Sequence, residues 1–284
     1  MRLDERGTIR EALDRHDLTA KKSFGQHFLL DLNVTRKVAR AAGGLDGRLV
    51  IEVGPGPGGL TRALLESDAA RIVVIEKDHR FLPLLQELAD SAGGRLVVVE
   101  ADALDADEVA LAAEHGPGRP VKVVANLPYN VGTPLLVKWL TGPLRPEGMA
   151  LMFQKEVARR IVARTGDPDY GRLAVLAQTL AEARSAFELP ARAFTPPPKV
   201  DSAVVTLTPR TERPPDALIA ALQKVTGAAF GQRRKMLRSS LKPLGGERLC
   251  EAAGVVPTAR AEDLTIAEFL ALAQVVESGS SSSP

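Results

Sequence analysis

Four glycines fall within six positions in Glu52-Val53-Gly54-Pro55-Gly56-Pro57-Gly58-Gly59-Leu60-Thr61. A β-branched run precedes them and a helix-like segment follows. Glycine lets the backbone turn tightly and lets a ligand approach it closely. A strand, a glycine turn and a helix in succession is how open α/β sheets begin a ligand site. The rest of the first half agrees. Arg48 to Val53, Ile72 to Ile75, Leu96 to Val99 and Val121 to Ala125 are short apolar runs about 22–25 residues apart. Such runs suit buried parallel strands. Leu60 to Leu65 and Phe81 to Leu88, between them, carry the apolar stripe of helices. Met149 to Phe153 reads as a fifth strand. Arg184 to Leu189 and Ser202 to Leu207 read as two more at the far end of the sheet. The expectation is a doubly wound α/β sheet with helices on both faces.

The 284 residues suit one large domain and one small one. Composition shifts at Thr208-Pro209-Arg210-Thr211-Glu212-Arg213-Pro214-Pro215, which reads as a linker. Beyond it Asp216 to Phe230, Arg233 to Leu241, Glu247 to Ala253 and Ile266 to Glu277 have helical periodicity. Thr265 and Glu268 form a capping-box signal for the last. The expected division is an N-terminal extension (1–20), an α/β catalytic domain (21–211), a small all-helical domain (212–277) and a disordered tail (278–284). Hydrophobic residues at 45% and charged residues at 25% are ordinary for a globular protein. No run approaches the length of a membrane span. Residues 1–17 lack the apolar core of a secretory signal, so the expected location is the cytoplasm. The single Cys250 and four scattered histidines, 16, 27, 79 and 115, offer no metal-ligand spacing, so no metal is expected.

The glycine loop alone leaves the ligand open. Gly54, Gly56 and Gly59 satisfy the dinucleotide pattern G-x-G-x-x-G. Gly54, Gly56 and Gly58 equally satisfy the G-x-G-x-G of S-adenosylmethionine enzymes. Glu76, ending the second strand, suits the ribose hydroxyls of either ligand. Three features favour S-adenosylmethionine. Glu52 before the loop would repel a pyrophosphate but suits a ligand carrying an amine and a sulfonium. Asp102 after the third strand can accept from an adenine amine. The third feature is Asn126-Leu127-Pro128-Tyr129 after the fourth strand. An exocyclic adenine amine is a poor nucleophile, because its lone pair is delocalised into the ring. Acceptors for its two N–H groups let the nitrogen pyramidalise and aim that lone pair at a methyl. The Asn126 oxygen can be one acceptor, and a carbonyl of Leu127 or Pro128 the second. Pro128 stiffens the turn. Tyr129 offers a face for the base, and a cation forming on that base is favoured over the ring. Such a site works by orientation and by electrostatic support for charge moving from sulfur to nitrogen.

The chain resembles the small-subunit ribosomal RNA adenine N6,N6-dimethyltransferases of bacteria from Lys21 to about Glu277. The ordered landmarks are Lys22-Ser23-Phe24-Gly25-Gln26-His27-Phe28-Leu29, the glycine loop, Ile75-Glu76-Lys77-Asp78, Asp102-Ala103-Leu104, and Asn126 to Asn130 with Thr133-Pro134-Leu135. They continue through Gln154-Lys155-Glu156-Val157, Tyr170-Gly171-Arg172-Leu173, Phe194 to Val204, and Arg233-Arg234-Lys235-Met236-Leu237. The resemblance implies a Rossmann-like class I S-adenosylmethionine-dependent methyltransferase sheet. It implies a cofactor site at His27, Leu29, Gly54, Glu76, Asp102 and Asn126. It places the target adenine between Tyr129 and Phe194, with Asn126, Leu127 and Pro128 holding the amine. The family usually carries Asn where this chain has His27; a histidine can still donate to the methionine carboxylate. The implied reaction is dimethylation of two adjacent adenosines in a 3'-terminal hairpin of 16S rRNA, on the immature small subunit, by a monomer.

Net charge is only +2, so an RNA partner must be sought in where the charges sit. Lys224, Arg233, Arg234, Lys235, Arg238 and Lys242 lie in a stretch without acids. Read as helical, it puts Arg234 and Lys235 on a face with Arg238, a candidate phosphate-contacting stripe. Lys155, Arg159, Arg160 and Arg164 form a second cluster, and Lys21 and Lys22 a basic entry. Glu100 to Glu108 holds five acids, which predicts a polarised surface. Few aromatics are free for stacking on single strands, which favours recognition of folded RNA by backbone and shape. Two other functions compete: an NAD-dependent oxidoreductase, and an RNA-binding ribosome assembly factor without chemistry.

Overall fold

The computed structural model describes residues 8–20 and 26–280. The landmark stretch Lys21 to Gly25, with its two lysines, lies outside the described residues. In chain order the elements begin α1 (Ile9–Arg15), β1 (Phe28–Leu29), α2 (Leu32–Ala41), β2 (Leu49–Val53), α3 (Gly59–Leu65), β3 (Arg71–Glu76) and α4 (Leu82–Ser91). Next are β4 (Leu96–Glu100), α5 (Glu108–His115), β5 (Val121–Asn126), α6 (Gly132–Thr141), β6 (Gly148–Gln154) and α7 (Lys155–Val162). Then come α8 (Arg172–Leu180), β7 (Ala181–Leu189), β8 (Phe194–Thr195) and β9 (Ser202–Pro209). The chain closes with α9 (Asp216–Gly231), α10 (Leu237–Ser240), α11 (Glu247–Ala252) and α12 (Ile266–Ser280).

Seven strands form one sheet in the order β4-β3-β2-β5-β6-β9-β7. The strands from β4 to β6 are parallel, and β9 runs antiparallel to β6. All seven are the runs expected from the sequence. β2 is buried at every position and β3 at all but its first, as continuous β-branched runs require. From β2 the chain moves outward through β3 and β4; from β5 it moves the other way through β6. The order therefore reverses between β2 and β5. Ligands bind at that switch point, outside the carboxyl ends of the strands. The glycine loop leaves β2 there, and Asn126 ends β5 there.

Polar side chains start the helices where the apolar periodicity begins. Asp31 accepts from the Asn33 N–H, and Asp107 from Val109 and Ala110. The Thr265–Glu268 capping box is present. Helix α1 has one too, between Thr8 and Glu11, so part of the expected extension is ordered. Ile9 and Leu13 bury it in the same apolar cluster as Phe28, Leu60, Phe81 and Phe194.

Contacts divide the chain into two compact units, 1–158 with 184–208 and 159–183 with 209–284. The composition shift alone would cut the chain once, near 211. The second unit also takes in the later part of α7 and all of α8, because Tyr170, Ala174 and Val175 pack among Leu218, Leu222, Val225, Phe269 and Leu272. Two other expectations need correction. Arg233 to Leu241 is not a helix, since only Leu237–Ser240 is helical. The Leu237 and Arg238 N–H groups donate to Ala259 O and Pro257 O, and Met236 bridges Arg260. A neighbouring loop thus takes the backbone bonds a helix would use. The tail does not begin at Ser278 either: α12 runs to Ser280, with the Ser278 hydroxyl donating to Gln274 O at 2.9 Å. Residues 281–284 lie outside the described residues. Among those described, no helix is long and apolar enough to cross a membrane.

Phe81 is fully buried, its ring edge-on to Phe28 with centroids 5.5 Å apart. Phe81→Ala is expected to cost the α/β unit about 3–5 kcal/mol. The chain's one tryptophan, Trp139, is buried in that unit, so its fluorescence during urea denaturation measures the loss.

Candidate active site

The loop after β2 takes its path from three left-handed glycines, Gly54 (φ 66°), Gly56 (φ 52°) and Gly58 (φ 79°). The Gly54 N–H donates to Ile75 O at 2.9 Å, tying the loop to the end of β3. Close packing gives a second reason for glycine. A Cβ on Gly59 would lie 2.4 Å from the Leu29 carbonyl oxygen, so β1 can cross the loop only over a residue without a side chain. A Cβ on Gly54 would already touch Pro128. The loop, β1 and the turn after β5 enclose one cavity of about 1170 Å³, its open mouth included. Cofactor candidates His27, Leu29, Gly54, Glu76, Asp102 and Asn126 all line it, as do Leu127, Pro128 and Tyr129.

Glu76 is buried, and each of its carboxyl oxygens accepts one backbone N–H: Gly56 at 2.9 Å and Asp78 at 2.8 Å. Burial raises its pKa, and the two N–H bonds oppose the shift. Each oxygen keeps a lone pair for a further donor. Asp102 accepts from the Leu104 N–H at 2.9 Å and from Lys77 Nζ at 2.6 Å. The Lys77 bond leads the causes that lower its pKa. Asp78 is set by Arg80 and Gln26; burial pushes its carboxyl up, but those donors outweigh burial and hold it at about 2.

Glu52 departs from the expectation of a fixed negative charge. It is 1% exposed, and burial pushes its carboxyl up to about 8, with the nearby Glu76 adding to the rise and the Thr61 hydroxyl, donating at 2.8 Å, opposing it. Near pH 7 the group is mostly a neutral acid. Its bias against pyrophosphate therefore cannot rest on a standing charge.

Asn126 Nδ2 reaches toward His27 O at 3.4 Å, and Oδ1 has no partner among the described residues. The Pro128 carbonyl accepts from Val131 and Gly132, both at 3.1 Å, and so turns the chain into α6. The Leu127 carbonyl accepts no backbone N–H among the described residues. Of the two carbonyls considered for the second acceptor, Leu127 has the free one. The Tyr129 ring stacks on His27, with centroids 5.6 Å apart and planes at 30°. Its hydroxyl lies 2.7 Å from Ser202 Oγ. His27 is itself held, Nδ1 donating to Pro196 O at 2.7 Å. Phe194 is not on the cavity wall. It is 3% exposed in the core, and its backbone pairs with Leu29.

Several contributors stand in the ordered motifs without having been given a site role there. Gln26, Lys77 and Asp78 line the cavity. Their residue types are ordinary at strand ends, so spacing carried no signal. Ser202 was one hydroxyl at a strand start, and only the fold brings Tyr129 to it.

On the helical unit, Lys224, Arg234, Lys235, Arg238 and Lys242 are exposed. Arg233 is spent internally, on Glu262 at 2.6 Å and Pro168 O at 2.7 Å. Since the stretch is not a helix, the expected shared face does not exist. In the second cluster Lys155 pairs with Glu188 at 2.5 Å. The acidic run is partly structural as well. Asp107 caps α5, and buried Glu108 binds Lys138 at 2.8 Å and accepts from Trp139 at 3.0 Å.

The sequence profile of the ribosomal RNA adenine dimethylase family matches residues 17–278. "Ribosomal RNA small subunit methyltransferase A" of Phenylobacterium zucineum is 65% identical, over 96% of this chain and 94% of its own. The protein of the same name in Caulobacter vibrioides is 66% identical, over 92% and 98%. Among solved structures, a dimethyladenosine transferase from Plasmodium falciparum superposes with a TM-score of 0.71 at 26% identity, covering 87% of this chain and 96% of that one. The 23S rRNA methyltransferase ErmE superposes with a TM-score of 0.64 at 29% identity, covering 87% and 98%.

The Glu52 environment has a measurable consequence. Its pKa is higher folded than unfolded, so the native state binds more protons between about pH 4.5 and 8. Stability of the cofactor-free protein should therefore fall as pH rises through that window, by up to about 1.4 kcal/mol per unit. Glu52→Gln, which cannot ionise, should flatten the profile measured by urea denaturation from pH 5 to 9.

Proposed function

Because this chain belongs to the ribosomal RNA adenine dimethylase family, we propose that it dimethylates N6 of two adjacent adenosines in a 3'-terminal hairpin of small-subunit 16S rRNA. Methylation of rRNA adenine with S-adenosylmethionine as donor is the family's activity. The finer assignment to that hairpin, on an immature subunit in the cytoplasm and by a monomer, is the reading that the small-subunit relatives support. The observation carrying it is local: the glycine loop, Glu76, Asp102 and the Asn126–Tyr129 turn meet in one cavity at the switch point of the sheet.

The donor set fits the cofactor. Left-handed glycines leave the loop's backbone open to close approach, and two carboxylates at the ends of β3 and β4 can accept from ribose and adenine. His27, Leu29 and Gly54, which line the cavity, would hold the cofactor's methionine end. Bound there, S-adenosylmethionine supplies an electrophilic methyl on a sulfonium. The chain supplies the rest. Asn126 Oδ1 and the Leu127 carbonyl accept the two N–H groups of the adenine amine, turning its lone pair toward the cavity. Pro128 keeps that turn rigid, since its own carbonyl is engaged by Val131 and Gly132. Tyr129 stacks against the base and favours the positive charge as it develops. Phe194, seated in the core opposite Leu29, supports β1 from behind; flanking the base would require its ring to swing out. Alkylation leaves a cationic N6-methyladeninium, acidic enough to give its proton to water at the open mouth of the cavity without a strong base.

Lys224, Arg234, Lys235, Arg238 and Lys242 would contact phosphates of folded RNA, with Arg233 bracing their loop. An assembly role without chemistry would leave the amine acceptors unused; NAD chemistry would leave the Asn126 turn without purpose.

Two measurements test the reading. Asn126→Ala should lower transfer of tritiated methyl to unmethylated small subunits by at least about 100-fold, with RNA binding within a factor of two. Wild-type turnover in that variant, or tight NAD binding without S-adenosylmethionine binding, would end the proposal. Substituting Arg234, Lys235 and Arg238 together by Ala should weaken RNA binding at any sequence. It should also reduce the salt dependence by roughly three phosphate contacts, read from affinity against ionic strength.

A further inference from the structure

Tyr129 sits on a turn, and a turn is a poor place to fix the plane of a ring. Two contacts fix it here. Ser202 Oγ lies 2.7 Å from the phenol oxygen, and the His27 ring covers one face. The two supports differ in their own anchorage. Ser202 is fully buried at the first position of β9, in register with Gln154 of β6. The residue before it is tied on both sides: Lys155 N–H donates to Asp201 O at 2.9 Å, and Ala191 N–H to Asp201 Oδ1 at 2.9 Å. Ser202 therefore stands on rigid sheet. A buried hydroxyl left unpaired is costly, so the pair also holds itself together. The His27 ring, stacked on Tyr129, limits how far the phenol ring can tilt.

We infer that Ser202 is a positioning residue of the methyl-transfer site: from the fixed start of β9 its hydroxyl holds the Tyr129 phenol, so that the ring keeps its plane against the target adenine. The inference rests on the proposed reading, in which Tyr129 carries the base. Ser202 touches neither base nor cofactor; it acts through Tyr129. A loosened ring leaves the base bound but misaligned, and misalignment slows transfer more than it weakens binding. The loss should therefore appear in kcat rather than in KM for RNA or in cofactor affinity.

The experiment is a double-mutant cycle of Ser202→Ala and Tyr129→Phe in the full-length protein. Methyl transfer to unmethylated small subunits gives kcat and KM; calorimetry gives the S-adenosylmethionine Kd. Each single variant should lower kcat by about 3- to 10-fold, the worth of one hydrogen bond, with KM and Kd within twofold. The double variant should be no slower than the slower single one. If the two losses multiply, or if either single variant keeps wild-type kcat, Ser202 does not act through the Tyr129 hydroxyl and the inference falls. Should Ser202→Ala fail to fold, Tyr129→Phe decides alone: it removes the same hydrogen bond on the other partner, and wild-type kcat overturns the inference. If the wild-type protein itself binds no S-adenosylmethionine and transfers no methyl, the functional reading has failed instead, and the two failures are told apart.

Discussion

One buried carboxyl group joins the two strand ends on which the site is built. Glu76 closes β3, and its oxygens accept N–H groups from Gly56 of the preceding loop and from Asp78 of its own. Those two bonds hold the glycine loop against β3 and set the floor of the cavity. Burial makes the arrangement costly, since a carboxyl out of water resists ionisation. The bonds recover part of that cost, and a ligand's hydroxyls would recover more. Glu52, one strand over, lacks such donors and stays mostly protonated. Burial raises the pKa of both carboxyl groups; backbone N–H groups oppose the rise at Glu76, and the Thr61 hydroxyl opposes it at Glu52.

The glycines serve this geometry more than they serve flexibility. Three take left-handed backbone that other residues rarely adopt, and Gly59 lies under the Leu29 carbonyl, where any Cβ would collide. β1 is only two residues long, yet it carries His27 at its edge and pairs with β8, which brings Phe194 into the core. This wall of the cavity is therefore assembled from residues far apart in the chain. Its members restrain one another: His27 on Pro196 O, Tyr129 on His27 and Ser202, Asn126 toward His27 O. Restraint of this kind suits a reaction that depends on alignment.

Basic residues divide by whether the fold has already claimed them. Arg233 and Lys155 are committed to ion pairs within their own units, and Lys77 is committed to Asp102. Arg234 and Lys235, just before α10, and Arg238 within it remain exposed, and the start of α10 is held by residues 257–260. A basic run in a sequence records how many charges are available; the paired and unpaired members separate only once the acids are placed beside them.

The sheet, its seven strands and a ligand site at the carboxyl ends of the strands were legible in the sequence, because they follow from local rules. β-Branched runs suit strands buried on both faces, and a glycine cluster after such a run allows the tight left-handed turn and close backbone approach that a site there uses. The ordered motifs also pointed to the family, and with it to the chemistry. Tertiary structure decided what depends on which partner arrives. It moved residues 159–183 into the helical unit, because their apolar side chains pack there. It cut the helix expected over Arg233–Leu241 down to Leu237–Ser240, because a neighbouring loop takes backbone bonds there. It drew Phe194 into the core and turned Glu52 from an expected charge into a neutral acid. It gave Tyr129 a serine partner 73 residues away. Local pattern sets an element's type because backbone sterics act over a few residues; burial, pKa and hydrogen-bond partner are properties of the surroundings, and those exist only after the chain has closed on itself.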